Sequence, residues 1–113
     1  MKTALILSAA SFAATLTFSP LANSVDADAA QALAKKEGCL KCHAVDKKKD
    51  AVALNEVAKK YAGKADAEAT ILAVITTGQT VKLEDGTEEE HKTIKSKDQA
   101  AVSNMIQWVL SHK

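Results

Sequence analysis

Two cysteines three positions apart, followed at once by a histidine, constrain this chain more than any other feature. They are Cys39, Cys42 and His43, and the spacing is that of a c-type haem attachment site. In such a site the two thiols add to the vinyl groups of haem as thioethers. The adjacent imidazole becomes the proximal ligand of the haem iron. The motif therefore predicts a domain that holds one covalently bound haem c.

Three other uses of the same residues are open, and each lacks support elsewhere in the sequence. A thioredoxin-like redox pair would stand beside a βαβ pattern, but the apolar patterns of this chain are helical. A structural zinc site needs four nitrogen or sulfur ligands, and the chain has no other cysteine. A disulfide between Cys39 and Cys42 would leave His43 without a role.

The first 24 residues have the organisation of a secretory signal peptide. Lys2 gives a short positive start, residues 4–18 form an apolar stretch, and residues 22–24 match a small-residue cleavage site. We expect residues 1–24 to be a cleaved Sec signal peptide and residues 25–113 to form the mature domain in the periplasm. The apolar stretch is short for a membrane span, and an uncleaved membrane tether is the alternative.

The predicted mature domain is poor in the large side chains that usually fill a core. Both phenylalanines lie in the predicted signal peptide, so Tyr61 and Trp108 are its only aromatic residues. A domain this small is marginally stable on its own apolar surface. Haem would supply the missing apolar mass, as metals and disulfides do in other small scaffolds.

Glycines and apolar periodicity predict three helices in the first two thirds of the mature chain. We expect the first to be capped by Asp28 and to end at Gly38, just before the haem motif. The second occupies about 55–63. The third begins after Asp66 and ends at Gly78.

A fourth helix is predicted at the end of the chain. Ser96 and Gln99 match a capping box, and the apolar residues that follow recur on one helix face. Met105 lies on that face beside Ala101 and Trp108, so we expect it to pack in the core. No period-two strand pattern is visible, and the sequence predicts one all-α domain of about four helices.

Several segments of the mature chain match one known family. They are the helix ending in Gly-Cys-x-x-Cys-His, the AVD at 44–46, the NEVAKKYAG at 55–63 and the WVLS at 108–111. Together they resemble the small bacterial class I cytochromes c. The resemblance implies the cytochrome c fold, in which the first and last helices cross and the other segments wrap one haem. It also implies that Cys39 and Cys42 carry the haem and that His43 is the proximal iron ligand.

The sequence departs from that family after the haem motif. The family has a Gly-Pro pair there, and the backbone near the proline fixes the proximal histidine. The equivalent positions here are Ala51 and Val52. We expect a backbone carbonyl still to accept a hydrogen bond from the His43 ring.

A second departure concerns the distal ligand. The family's methionine lies in a proline-rich loop before the last helix, but residues 80–97 contain neither methionine nor proline. His91 lies within a residue or two of the expected position, so we predict it as the distal ligand of a bis-histidine haem. Lys92 as a neutral amine, and an iron with water or no distal ligand, are the alternatives. His112, at the end of the last helix, is expected to be a surface residue or a cation favoured by the helix C-terminus.

The predicted ligands favour electron transfer over catalysis. Imidazole in place of methionine lowers the haem potential, and an iron with two protein ligands has no vacancy for a substrate. No acid–base pair or nucleophile accompanies the motif, so we expect a one-electron carrier and not an enzyme. A haem-based gas sensor and an electron-transfer subunit of a larger oxidoreductase are the alternatives.

Charge is nearly balanced, with a formal net charge of +1, but unevenly distributed. Lys41 and the lysines at 47–49 flank the motif, whereas acidic residues crowd 84–90. A basic rim would steer acidic redox partners, and a solvated lysine face is the alternative. The sequence has no aromatic-bearing basic module for nucleic acid. We expect a monomer with redox proteins as donor and acceptor, and no membrane span after signal cleavage.

Overall fold

The computed structural model describes residues 24–113, which form five helices and one β-hairpin. The helices are α1 (Ala27–Lys36), α2 (Cys39–Cys42), α3 (Leu54–Tyr61), α4 (Ala67–Thr77) and α5 (Gln99–Ser111), and the strands are β1 (Thr80–Lys82) and β2 (Glu88–Glu90). Residues 1–23, which hold nearly all of the predicted signal peptide, lie outside the described residues. From residue 24 onwards, no helix combines the length and hydropathy needed to cross a membrane.

Aspartates other than the predicted residues begin the first and last helices. The carboxylate of Asp26 caps α1 by accepting a hydrogen bond of 3.0 Å from the backbone N–H three residues on. Asp98 caps α5 in the same way, at 3.1 Å. These bonds satisfy N–H groups that the first helical turn leaves unpaired. The predictions of Asp28 and Ser96 as capping residues are therefore wrong, although both helices exist.

The middle helices lie close to their predicted positions. As predicted, α4 begins after Asp66 and stops at Gly78, which follows its last residue, Thr77. The φ angle of Gly78 is 69°, in the left-handed region that favours glycine after a helix. Helix α3 begins at Leu54 and ends at Tyr61, within two residues of the predicted bounds.

The sequence analysis missed one element, the antiparallel hairpin of β1 and β2. Thr80 lies opposite Glu90, and Lys82 lies opposite Glu88. The fold is mostly helical, as predicted, and the sequence shows no period-two pattern because strands of three residues are too short to display one. Strand β2 consists of three exposed glutamates and has no apolar face to reveal it. The Asp-Gly pair at 85–86 was the available signal, since it is common in hairpin turns.

The core forms where α1, α3 and α4 pack against the last helix, α5. It consists of Ala30, Ala34, Leu54, Ile75, Val102, Met105, Ile106 and Trp108. Met105 is 3% exposed, so its predicted place in the core is confirmed. Most of these side chains are small or medium in size, and Trp108 is the one aromatic residue among them. The polypeptide therefore brings little large apolar surface of its own to the centre of the fold.

Candidate haem site

The two cysteines of the motif lie on the single turn of α2. Gly38 has a φ angle of 82° and turns the chain from α1 into α2, in a conformation that favours glycine. Residues three apart on a helix are neighbours on one side, so Cys39 and Cys42 present their sulfur atoms together. Both thiols are free and half-buried.

The electrostatics of Cys39 argue against the thioredoxin-like alternative. Burial raises the pKa of the Cys39 thiol, and the nearby Glu37 and Cys42 raise it further, against the opposing effect of its backbone hydrogen bond. Catalytic redox thiols need a lowered pKa, because the thiolate is the nucleophile. Cys39 is held as a protonated thiol instead.

His43 follows α2 directly, in an extended conformation. Its Nδ1 lies 2.6 Å from the carbonyl oxygen of Val52, as expected for this stretch. A carbonyl can only accept, so Nδ1 carries the proton and Nε2 keeps its lone pair. Burial lowers the pKa of His43, helped by the charge of His91 and opposed by the bond to Val52. The ring is therefore held neutral, which is the form that binds metals.

The Val52 carbonyl is fixed by the loop that carries it. The Ala51 N–H donates to the Cys42 carbonyl at 3.0 Å, and the Leu54 N–H donates to the Ala44 carbonyl at 2.9 Å. These bonds join the loop to the motif on both sides of Val52. The family's Gly-Pro pair is missing here, and these backbone hydrogen bonds hold the Val52 carbonyl in the position that orients the His43 ring.

His91 emerges directly from β2 of the hairpin. Its backbone N–H donates to the Gln79 carbonyl at 2.9 Å, which extends the pairing beyond the strands. Its Nδ1 lies 2.8 Å from the carbonyl oxygen of Lys92. In the neutral form of the His91 ring, this contact places the proton on Nδ1 and leaves the lone pair on Nε2. Two different elements thus present imidazoles in the same tautomer.

The two imidazoles lie close to each other. The ring centroids of His43 and His91 are 6.2 Å apart, and the ring planes are 33° from parallel. A metal–nitrogen bond of about 2 Å, plus about 1.2 Å from nitrogen to ring centre, places two imidazoles on opposite sides of one metal about 6 Å apart. The residues present therefore fit a haem iron between them.

The remaining candidates are placed less well for binding iron. Lys92 is exposed, whereas the His91 side chain before it is half-buried. Met105 lies on α5 with its side chain enclosed in the core. His112, which we predicted at the surface, is half-buried with its ring edge-on to Trp108 at a centroid distance of 4.8 Å. The predicted surface position of His112 is therefore wrong, because the end of α5 turns the ring onto Trp108.

A carboxylate that was not predicted from the sequence joins the two sides of the site. Glu37, the last residue before Gly38, accepts hydrogen bonds from the backbone N–H groups of Lys95 and Ser96, at 2.7 Å and 3.1 Å. These partners lie 58 and 59 positions further along the chain. No sequence pattern links residues so far apart, so only the folded chain reveals this contact.

Comparison with known sequences gives consistent matches. The family model for cytochrome c matches residues 27–113. Cytochrome c2 from Rhodocyclus tenuis is 40% identical over 83 residues, which cover 73% of this chain and 90% of that protein. Cytochrome c-551 from Pseudomonas aeruginosa is 36% identical over 93 residues, which cover 82% and 86%.

Solved structures match the fold as well. The class 1 cytochrome MtoD from Sideroxydans lithotrophicus ES-1 aligns with a TM-score of 0.73 and 49% identity, over 78% of this chain and 97% of that one. Cytochrome c552 from Nitrosomonas europaea aligns with a TM-score of 0.59 and 29% identity, over 74% and 99%. The aligned regions include nearly all of both solved chains.

Proposed function

The chain belongs to the cytochrome c family, and from that premise we propose that it is a periplasmic one-electron carrier with a bis-histidine haem. Membership confirms the predicted resemblance and the cytochrome c fold. It also gives the protein one covalently attached haem c and a role in electron transport, and not in catalysis. The identity of the iron ligands, the periplasmic location and the redox partners go beyond family membership and are proposed here.

The pair of histidines carries the proposal. Cys39 and Cys42 would hold the haem through thioethers, while His43 and His91 would bind its iron through their Nε2 atoms. The supporting observation is the 6.2 Å separation of the two rings, together with the carbonyl contact that each Nδ1 makes. When bound, haem supplies an iron that takes up and releases one electron.

The protein's part in this function is to hold the ligands still. Each histidine is fixed by a backbone carbonyl, and such contacts set ring orientation and ligand basicity. If His43 and His91 both bind the haem iron, a substrate or gas would have to displace one of them. A second imidazole in place of methionine also lowers the potential. The arrangement therefore supports a carrier of low potential within its family more than a gas sensor.

The N-terminal sequence supports the proposed location. Residues 1–24 have the charge, the apolar stretch and the cleavage site of a secretory signal. We therefore assign residues 25–113 as the mature haem domain, exported to the periplasm.

The charged surface near the motif supports acidic redox partners. Lys41 and the lysines at 47–49 are all exposed. Lys48 lies 3.9 Å from Glu84 at the hairpin, but an exposed pair of this kind contributes at most about 1 kcal/mol. The lysines thus remain available to steer a negatively charged partner toward the haem motif.

The distal ligand is tested by replacing His91 with alanine, with Lys92→Ala as the matched control. We expect the His91 variant to lose the low-spin absorption spectrum and to bind carbon monoxide promptly when reduced. The Lys92 variant should behave as the wild type. An unchanged spectrum and potential in His91→Ala would show that another group binds the iron, and a change in Lys92→Ala would identify that group.

A further inference from the structure

Glu37 occupies a position where its charge is locally unfavourable. It is the C-cap residue of α1, and its N–H donates to the Leu33 carbonyl at 2.9 Å. A helix carries partial negative charge at its C-terminus, so an anionic side chain there opposes the dipole. The carboxylate therefore does not stabilise α1, and its hydrogen bonds are made to another part of the chain.

Those contacts are made with the segment that follows His91. One carboxylate oxygen accepts from the Lys95 N–H at 2.7 Å, and the other accepts from the Ser96 N–H at 3.1 Å. Hydrogen bonds to a charged acceptor are stronger than those between neutral groups. Both oxygens of one half-buried side chain thus hold two consecutive backbone groups of a chain segment that has no regular secondary structure.

The segment is held at three places along its length. His91 itself bonds to Gln79, and the Ile94 N–H donates to the Ile75 carbonyl at 2.9 Å. The Glu37 bonds come next, before α5 begins. Of these three attachments, only Glu37 connects the segment to the chain that leads into the two cysteines. It lies two residues before Cys39, on the proximal side of the site.

We propose that Glu37 is a positioning residue for the distal ligand, tying the segment after His91 to the end of α1 next to the haem attachment motif. This inference rests on the proposed function, because it requires His91 to bind iron. The carboxylate fixes the distance between the two sides of the site, so that His91 stays in reach of the iron. Loss of the tie lets the segment move and His91 dissociate more often.

The test measures how fast cyanide replaces the distal ligand in the oxidised holoprotein, in the wild type, Glu37→Gln and Glu37→Asp. Glutamine has one acceptor oxygen, so one of the two N–H groups loses its partner. Aspartate keeps the charge but is too short to reach both groups. We expect replacement to accelerate about tenfold in both variants. Acceleration in Glu37→Gln alone would assign the effect to charge and overturn the tie.

A second control distinguishes loss of the Glu37 contact from a global loss of stability. Lys60→Gly introduces glycine at an exposed position of α3, which lowers helix stability without touching the segment. We expect its cyanide replacement rate to stay within about twofold of the wild type. An equal acceleration in Lys60→Gly, or none in either Glu37 variant, would refute the positioning role. If His91→Ala leaves the spectrum unchanged, the proposed ligation fails first, and the role of Glu37 fails with it.

Discussion

The ring centroids of His43 and His91 lie 6.2 Å apart, and the Nδ1 atom of each ring contacts a backbone carbonyl oxygen. The two carbonyls belong to unrelated parts of the chain, the loop at Val52 and the residue after the hairpin. Both contacts leave Nε2 as the atom with the lone pair. In the neutral rings, this shared tautomer would let both Nε2 atoms bind one haem iron.

The angle between the rings predicts the EPR spectrum of the oxidised protein. Planes that are 33° apart are closer to parallel than to perpendicular. If both imidazoles bind the haem iron, nearly parallel ring planes would act on the same iron d orbital and make its energy differ from that of the second orbital. We expect a rhombic low-spin signal. A signal with one very large g value, typical of perpendicular rings, would contradict the ring geometry of His43 and His91.

Replacing the distal histidine with methionine should raise the haem potential. Thioether ligation raises the potential relative to imidazole, and the family's usual ligand is methionine. We expect His91→Met to shift the midpoint upward and to create the weak long-wavelength sulfur-to-iron band. Lys92→Met is the matched control, because Lys92 is exposed, and it should change neither property. A band that appears only in the Lys92 variant would reverse the assignment.

The sequence predicted the parts of the site that depend on local spacing. The cysteine motif, the carbonyl contact of His43 and the position of α4 between Asp66 and Gly78 all follow from residues close together in the chain. Predictions failed where neighbouring side chains compete for one role. Asp26 caps α1 in place of Asp28, since either carboxylate suits a first turn.

Contacts between distant segments lay beyond sequence reasoning. The bonds from Glu37 to residues 95 and 96 depend on how α1 and α5 pack, and no periodicity encodes them. The hairpin was hidden because its strands carry no alternating apolar face. His112 was misplaced because its contact with Trp108 forms only when the end of α5 is folded.

Folding of the mature domain should depend on haem attachment. The core contains one large aromatic residue, Trp108, and Cys39 of the motif packs against this core. A small domain has little stability to lose. We expect the double variant Cys39→Ala, Cys42→Ala to lack a cooperative thermal transition by circular dichroism, whereas the wild-type holoprotein shows one. A cooperative and helical haem-free variant would refute this coupling.

Electron exchange with an acidic partner should weaken as salt rises. Exposed charges act over only about 10 Å at 0.1 M ionic strength, and the lysines at 41 and 47–49 are exposed. Lys47→Glu is preferred over a change at Lys48, which already lies near Glu84. We expect slower association at low salt for Lys47→Glu, with Lys60→Glu as a control on α3. Equal rates for both variants at every salt concentration would favour a merely solvated lysine face.

The hairpin turn should open in acid through one carboxylate. Asp85 Oδ1 accepts hydrogen bonds from the Thr87 hydroxyl at 2.6 Å and the Thr87 N–H at 2.9 Å. These two bonds, the hydroxyl first, lower the pKa of Asp85 below its usual range. A carboxyl whose pKa is lowered by folding stabilises the turn above the unfolded pKa and loses that effect as the pH falls through the folded pKa. Acid therefore weakens the turn that supports β2 and, after it, His91.

Amide NMR of the reduced holoprotein tests this directly. We expect the Thr87 amide resonance to titrate with an apparent pKa below that of an ordinary aspartate. In Asp85→Asn the amide oxygen still accepts a hydrogen bond but has no proton to gain in this range, so the titration should vanish. Glu89→Gln changes an exposed acid on β2 of the same hairpin and serves as the control, in which the Thr87 titration should persist. Titration of Thr87 in the ordinary aspartate range, or its persistence in Asp85→Asn, would show that another acid controls the turn.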